Sequence, residues 1–370
     1  LSSAPHVSLP MVFPVPARDQ QSLRGYRSLP HRTVHVAVCV AAAIAVVLGI
    51  AAAPTSARAR AANVLPGAIL IADRGNDRIL LVNEMGDQLW GFPTLHDQRR
   101  GLRLNFDDDA FVGFGGTTIV SNEEEAHTIV GIDIRTHHRT HLFGTPGVRG
   151  SGAHLLNTPD DAYPLPDGSV VVADAYNCRV LWIRAHRIVR QLGTNGVCRH
   201  DPPTSFGALN GDTPLPGGGL LLSEIDGHYV DEISPSGALV WSVAAPVRYP
   251  SDPQPLPGGR VLLADYSDPG QVIVMNRHGA VLWRYGPTSG EGALNHPSLA
   301  LPLPGGLIAI NDDYRDRVIV VSMRTHQIVW QYGHTDVPGS SPGYLRTPDG
   351  MDFVPLNAAG APRWGAVHHP

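Results

Sequence analysis

Across residues 64–357 the chain sets short apolar runs between polar turns at a steady rhythm. The stretch NTPDDAYPLPDGSVVVADAYNCRVLWI (157–183) shows the unit clearly. It reads as a strand at 162–165, a Pro-Asp-Gly turn, a β-branched strand at 169–173, a polar hairpin tip and a third strand at 179–183. Strands this short cannot bury their apolar faces alone, so copies of the unit have to stack around a shared core.

The turn before the second strand is the ruler for finding those copies. Leu-Pro followed by Gly or Asp-Gly recurs at Pro66, Pro166, Pro216, Pro257 and Pro304, with Phe114-Gly115-Gly116 in the same slot and Pro355 in a final partial copy. The spacing averages about 48 residues, the period of a four-stranded propeller blade. The pattern therefore predicts an all-β, six-bladed β-propeller over 64–357, followed by a tail at 358–370. Residues 67–92 read as the second to fourth strands of a blade, while 348–356 have the start of a first strand and no continuation. The C-terminal strand is expected to join the first blade, which leaves no open sheet edge.

Composition changes this picture little. The 40 glycines and 33 prolines would hint at disorder in a non-repetitive chain, but here they sit at the turns. A net charge of -5 with 6% aromatic residues provides no basic face, so no nucleic-acid partner is expected.

The ends carry the targeting information. Residues 1–33, rich in Pro, Ser and Arg, are read as disordered. Leu1 implies a fragment or an alternative start, with Met11 as another candidate start. Residues 34–60 read as a signal peptide or a membrane anchor: Arg24, Arg27 and Arg32 precede an uncharged run at 36–53, and small residues follow. Either way the propeller is expected outside the cytoplasm, secreted or anchored, touching a membrane only through 36–53 if that run is retained. Cys39 lies in the run, which leaves Cys178 in a hairpin and Cys198 in the next linker as a candidate disulfide on one face. The alternative is two unpaired small residues.

Three positions repeat. An acid stands five residues before an arginine at Asp73/Arg78, Asp174/Arg179 and Asp312/Arg317; its recurrence marks a hairpin brace, because a catalytic residue has no reason to occur in every blade. Trp90, Trp241, Trp283 and Trp330 close the outer strands and are read as packing between blades. The third repeat is the glycine-spaced linker. Its ending Leu-Asn-Thr-Pro-Asp, followed by Val-Ala-Asp-Ala-Tyr-Asn-Cys-Arg-Val, resembles an NHL repeat, and the outer strand Gly-Ala-Val-Leu-Trp-Arg-Tyr-Gly resembles the repeats of PQQ-binding-like propellers, over about residues 64–356. Both families include enzymes, sensors and scaffolds, so the resemblance implies a fold more than a reaction. The absence of a vicinal cysteine pair argues against a quinoprotein dehydrogenase.

Function is sought on the linker face. The starts of the innermost strands bring Asp108, Asp109, Asp160, Asp161, Asn210, Asp212, Asp252 and Asp349 toward the channel mouth. They are read either as turn caps or as oxygen ligands for Ca²⁺, with Asp160, Asp161, Asp252 and Asp349 foremost. His154, His200, His296 and His334 lie in or beside linkers, with His228 on a hairpin of the same face; they are either solvent-exposed or a source of zinc ligands. Three functions follow. The first is a binding or scaffold propeller whose linker face recognises a ligand or protein. The second is a Ca²⁺-dependent hydrolase resembling the lactonase and phosphotriesterase propellers, which needs several of these acids to converge. The third is a lyase or sulfotransferase that needs His296 or His334 beside an Arg or Tyr in the channel.

Overall fold

The computed structural model describes residues 64–367. The expectations for 1–33 and 34–60, Cys39 included, lie outside the described residues.

Six antiparallel four-stranded sheets form the blades of a ring. Blade 1 is completed from the far end of the chain: Met351–Val354 pairs with Ala68–Asp73, placing Met351 opposite Ile71 and Val354 opposite Ala68. The first blade thus closes as the turn pattern predicts, and the edge that Ala68–Asp73 would otherwise expose is covered. Beyond Val354 the chain turns back, and Trp364 packs edge-on to Trp90 with ring centroids 5.9 Å apart.

Period-two alternation explains why the ring holds. In Ala68–Asp73 every residue is buried, yet the two faces serve different neighbours. Leu70 and Ala72 join the apolar cluster shared with blade 2, whereas Ile69 and Ile71 join the one shared with blade 6. Six such clusters fill the six blade-to-blade interfaces. The outer-strand tryptophans reach across three of these interfaces. Trp90 donates to the Ile134 carbonyl at 2.9 Å, Trp283 to that of Met323 at 2.9 Å and Trp330 to that of Glu84 at 2.8 Å.

In blades 1, 3 and 6 the repeated acid and arginine brace the hairpin to a linker. Arg179 Nε donates to Asp174 at 2.6 Å while its Nη2 reaches the Leu155 carbonyl at 3.0 Å. Arg317 does the same with Asp312 at 2.8 Å and the Glu291 carbonyl at 2.9 Å. Both arginines are fully buried and fully partnered, the condition under which a buried ion pair is tolerated. Cys178 and Cys198 form a disulfide with Cα atoms 5.2 Å apart, stapling the linker that follows blade 3 to the hairpin of that blade. A disulfide is consistent with an extracytoplasmic location. Among the described residues no helix is long and apolar enough to cross a membrane.

Candidate functional site

The strand register determines which side chains meet at the axis. Pro159, Leu209 and Pro250 stand opposite the acids that end the second strands, Asp174, Glu224 and Asp265. Close behind them the register slips, between Pro159 and Ala162 in blade 3, between Leu209 and Gly211 in blade 4 and between Ser251 and Gln254 in blade 5. A bulge re-aims the side chains it contains. The residues at the starts of the innermost strands fall into two tiers, one gathered by Arg74 and one by the meeting of Asp109, Asp161 and Asp252.

The tier nearer the linkers is formed by Asp349, Asp108, Asp160, Asn210, Ser251 and Ser298, in blade order. Its charge is met by Arg74, the residue that follows the hairpin acid of blade 1. Arg74 is only 7% exposed. Its guanidinium lies 2.6 Å from Asp108 and 2.5 Å from Asp349, with Asp313 at 3.6 Å and Glu124 at 3.7 Å. Burial alone would lower the pKa of Arg74, but Asp349 and Asp108 outweigh it and hold the group firmly charged. Phe106 lies under the guanidinium at 4.8 Å, and the Tyr266 hydroxyl accepts from Nη2 at 3.3 Å. In blade 6, where Ser298 replaces the acid, its hydroxyl donates to Asp313 at 2.8 Å.

One residue further along each strand the second tier reads Gly350, Asp109, Asp161, Gly211, Asp252 and Leu299. Asp109, Asp161 and Asp252 are 2%, 0% and 4% exposed. Each offers a carboxylate oxygen, and these oxygens all lie within 4.8 Å of one another. One oxygen of each carboxyl, Oδ1, has no hydrogen-bond donor, and the same holds for Asn210 Oδ1. The two glycines make this crowding possible. A Cβ on Gly350 would collide with Asp109 Oδ1, and one on Gly211 would sit 2.9 Å from Asp252 Oδ1. Burial, and then the neighbouring carboxyls, push Asp109 and Asp161 well above the usual carboxylate range, and Asp252 rises with them. Asp212, next on its strand, is buried with both oxygens lacking a donor, and its backbone N–H donates to Asp161 at 3.0 Å.

The structure thus brings Asp161 and Asp252 together, with Asp109 as the third member of the group. Asp349 and Asp108 are occupied by Arg74, and burial followed by Asp108 raises Asp160. The histidines are dispersed: among the described residues no group of three metal-ligating side chains contains more than one of them. His154, His228 and His334 are exposed. His296 is half-buried beside the channel, its ring edge-on to Tyr266 at 4.9 Å and Tyr314 at 4.5 Å. Its Nδ1 contacts Asn295 Oδ1 at 2.6 Å, and burial lowers its pKa. His200 lies against Glu224 of blade 4.

Arg74, Glu124, Tyr266 and Asp313 escaped the sequence reading. All occupy one slot, the residue after the hairpin acid, which in the other two blades holds Ala175 and Ile225. A position that varies inside an otherwise repeated hairpin was the available signal.

No family model and no curated protein sequence matches this chain. Solved structures do resemble it. A protein of unknown function from Bacteroides caccae is 17% identical with a TM-score of 0.53, covering 77% of this chain and 98% of that one. A streptogramin B lyase is 12% identical with a TM-score of 0.51, covering 80% and 85%. A nidogen/laminin complex chain is 11% identical with a TM-score of 0.52, covering 77% and 97%. These likenesses are of fold. The chain is a six-bladed β-propeller, and its chemistry has to be argued from its own channel.

Proposed function

We propose that this chain is an exported binding propeller of the NHL and PQQ-like kind, which holds a divalent cation of the Ca²⁺ class between Asp109, Asp161 and Asp252 and receives its ligand on the linker face above. The observation that carries this reading is the set of three buried carboxyls, each with an oxygen that no donor reaches. Burying like charges together is costly unless protons or a cation neutralise them. Ca²⁺ takes about six to eight oxygens in flexible geometry, and three carboxyls with the Asn210 carbonyl supply a large part of that shell. An extracytoplasmic address, which the disulfide supports, places the site where Ca²⁺ is plentiful. Calorimetric titration of the EDTA-treated protein with Ca²⁺ tests the reading. Binding by the wild type that disappears in Asp161→Asn/Asp252→Asn supports it, and binding that survives the double substitution, or none at millimolar Ca²⁺, contradicts it.

A second reading rests on His296. With Nδ1–H donated to Asn295, Nε2 carries the lone pair, and the lowered pKa keeps it unprotonated near neutral pH. Tyr266 beside it bonds Arg74, so a base, a phenol and a guanidinium stand together at the mouth. A neutral imidazole beside a phenol and a guanidinium can serve as a general base, and the streptogramin B lyase is an enzyme on this fold. Turnover of streptogramin B that is lost in His296→Ala would favour this reading over a purely binding role.

A further inference from the structure

Blade 4 departs from the hairpin brace. In blades 1, 3 and 6 the acid ending the second strand is neutralised by the arginine that opens the third. In blade 4 the acid is Glu224, and the residue facing it in register is Tyr229. The imidazole of His200, brought in by the linker after blade 3, stacks flat on that tyrosine with centroids 3.5 Å apart and planes 5° apart. Its Nδ1 is 2.9 Å from Glu224 Oε1. Two residues along the third strand, and hence on the same face, Asp231 is fully buried.

Neither oxygen of Asp231 is met by a hydrogen bond of good geometry, and its polar neighbours are Glu224 and Ser242. The carboxyls of Glu224 and Asp231 are close enough to interact, and among the described residues no arginine meets them. From the geometry we infer a second metal site, separate from the channel, in which His200, Glu224 and Asp231 bind a divalent transition-metal ion of the zinc class. The three side chains offer ligand atoms that all lie within 4.8 Å of one another. One imidazole nitrogen with carboxylate oxygens is a donor set suited to Zn²⁺, whereas Ca²⁺ and Mg²⁺ favour oxygen alone.

The surroundings orient the ligands. The Ser242 hydroxyl is 3.3 Å from His200 Nε2, and Ser242 faces Asp231 directly across the strand pair. With Nε2–H donated there, Nδ1 presents its lone pair to the carboxylates. The Gly207 N–H donates to Glu224 Oε2 at 2.5 Å, holding that carboxylate in place. The disulfide ends at Cys198, two residues before His200, so it fixes the linker that delivers the imidazole. The site opens on its histidine side, where His200 is 26% exposed and Glu224 is not exposed at all.

The test uses the oxidised, EDTA-treated protein, titrated with Zn²⁺ by calorimetry and with Co²⁺ by visible absorption. The wild type should bind Zn²⁺ and give the strong visible bands of low-coordinate, nitrogen-ligated Co²⁺. His200→Gln and Asp231→Asn should weaken Zn²⁺ binding by roughly tenfold or more and remove those bands, while Asp161→Asn/Asp252→Asn, which empties the channel, should leave them unchanged. Asp231→Asn removes charge with little change of shape, so it serves if the histidine variant misfolds. Absence of Co²⁺ bands in the wild type, unchanged affinity in both blade 4 variants, or bands lost only in the channel variant would overturn the proposal.

Discussion

The two tiers of the channel contain the same residue type and solve its charge problem in opposite ways. In the upper tier Asp108 and Asp349 are met by a buried arginine at 2.6 and 2.5 Å. In the lower tier Asp109, Asp161 and Asp252 meet one another, and no protein cation contacts them among the described residues. The difference shows that clustering of acids does not by itself identify a site. What separates a structural brace from a candidate ion site is whether the fold supplies the counter-charge.

The largest effect is expected from making the upper tier resemble the lower. Arg74→Met leaves Asp108, Asp349 and Asp313 buried without their cation, and chemical denaturation at neutral pH should show a loss of about 3–5 kcal/mol. Added Ca²⁺ should then stabilise this variant more than it does the wild type. The converse change, Asp161→Asn/Asp252→Asn, relieves repulsion in the lower tier. In EDTA it should raise stability by on the order of 1–3 kcal/mol and abolish the response to Ca²⁺. These carboxyls have folded pKa values raised above the unfolded ones, so the folded state binds more protons and stability falls as pH rises from about 4 through the raised values. The advantage of the double variant over the wild type should accordingly widen with pH.

Gly350→Ala tests the space between the tiers. Its methyl group meets Asp109 Oδ1, so a cost of roughly 1–3 kcal/mol in urea melts is expected, together with weaker Ca²⁺ binding. The smallest effect belongs to Glu124→Gln. That carboxylate lies 3.7 Å from Arg74 with its side chain 24% exposed, and the loss should stay within about 1 kcal/mol.

Much of this was legible in the chain. The Leu-Pro-Gly rhythm located the turns, the partial copy at the end implied that Met351–Val354 would complete blade 1, and the acids after each Thr-Pro or its equivalent marked the mouth. Cys178 in a hairpin and Cys198 in the next linker on the same face made a disulfide the expected pairing, and the bond forms. The division of the acids into tiers was not legible, because it depends on a bulge that makes neighbours such as Asp160 and Asp161 contribute at different depths. Nor was Arg74, whose partners lie 34 and 275 residues away in sequence, one in the neighbouring blade and one on the C-terminal segment that completes blade 1. Tyr229 in the slot of an arginine was a readable sign that blade 4 neutralises Glu224 differently, but the arrival of His200 depends on the path of the linker.

The central claim is that the lower tier takes its counter-charge from outside the protein. It is tested most directly by thermal unfolding of the wild type with Ca²⁺ and with EDTA at two pH values. Near neutral pH, Ca²⁺ at about 100 times its Kd should stabilise the fold by roughly 2.7 kcal/mol, seen as a rise in Tm of several degrees. Near pH 4 protons take the place of the ion, and the rise should all but vanish. A Tm indifferent to Ca²⁺ at neutral pH, or a rise of equal size at both pH values, would contradict the account.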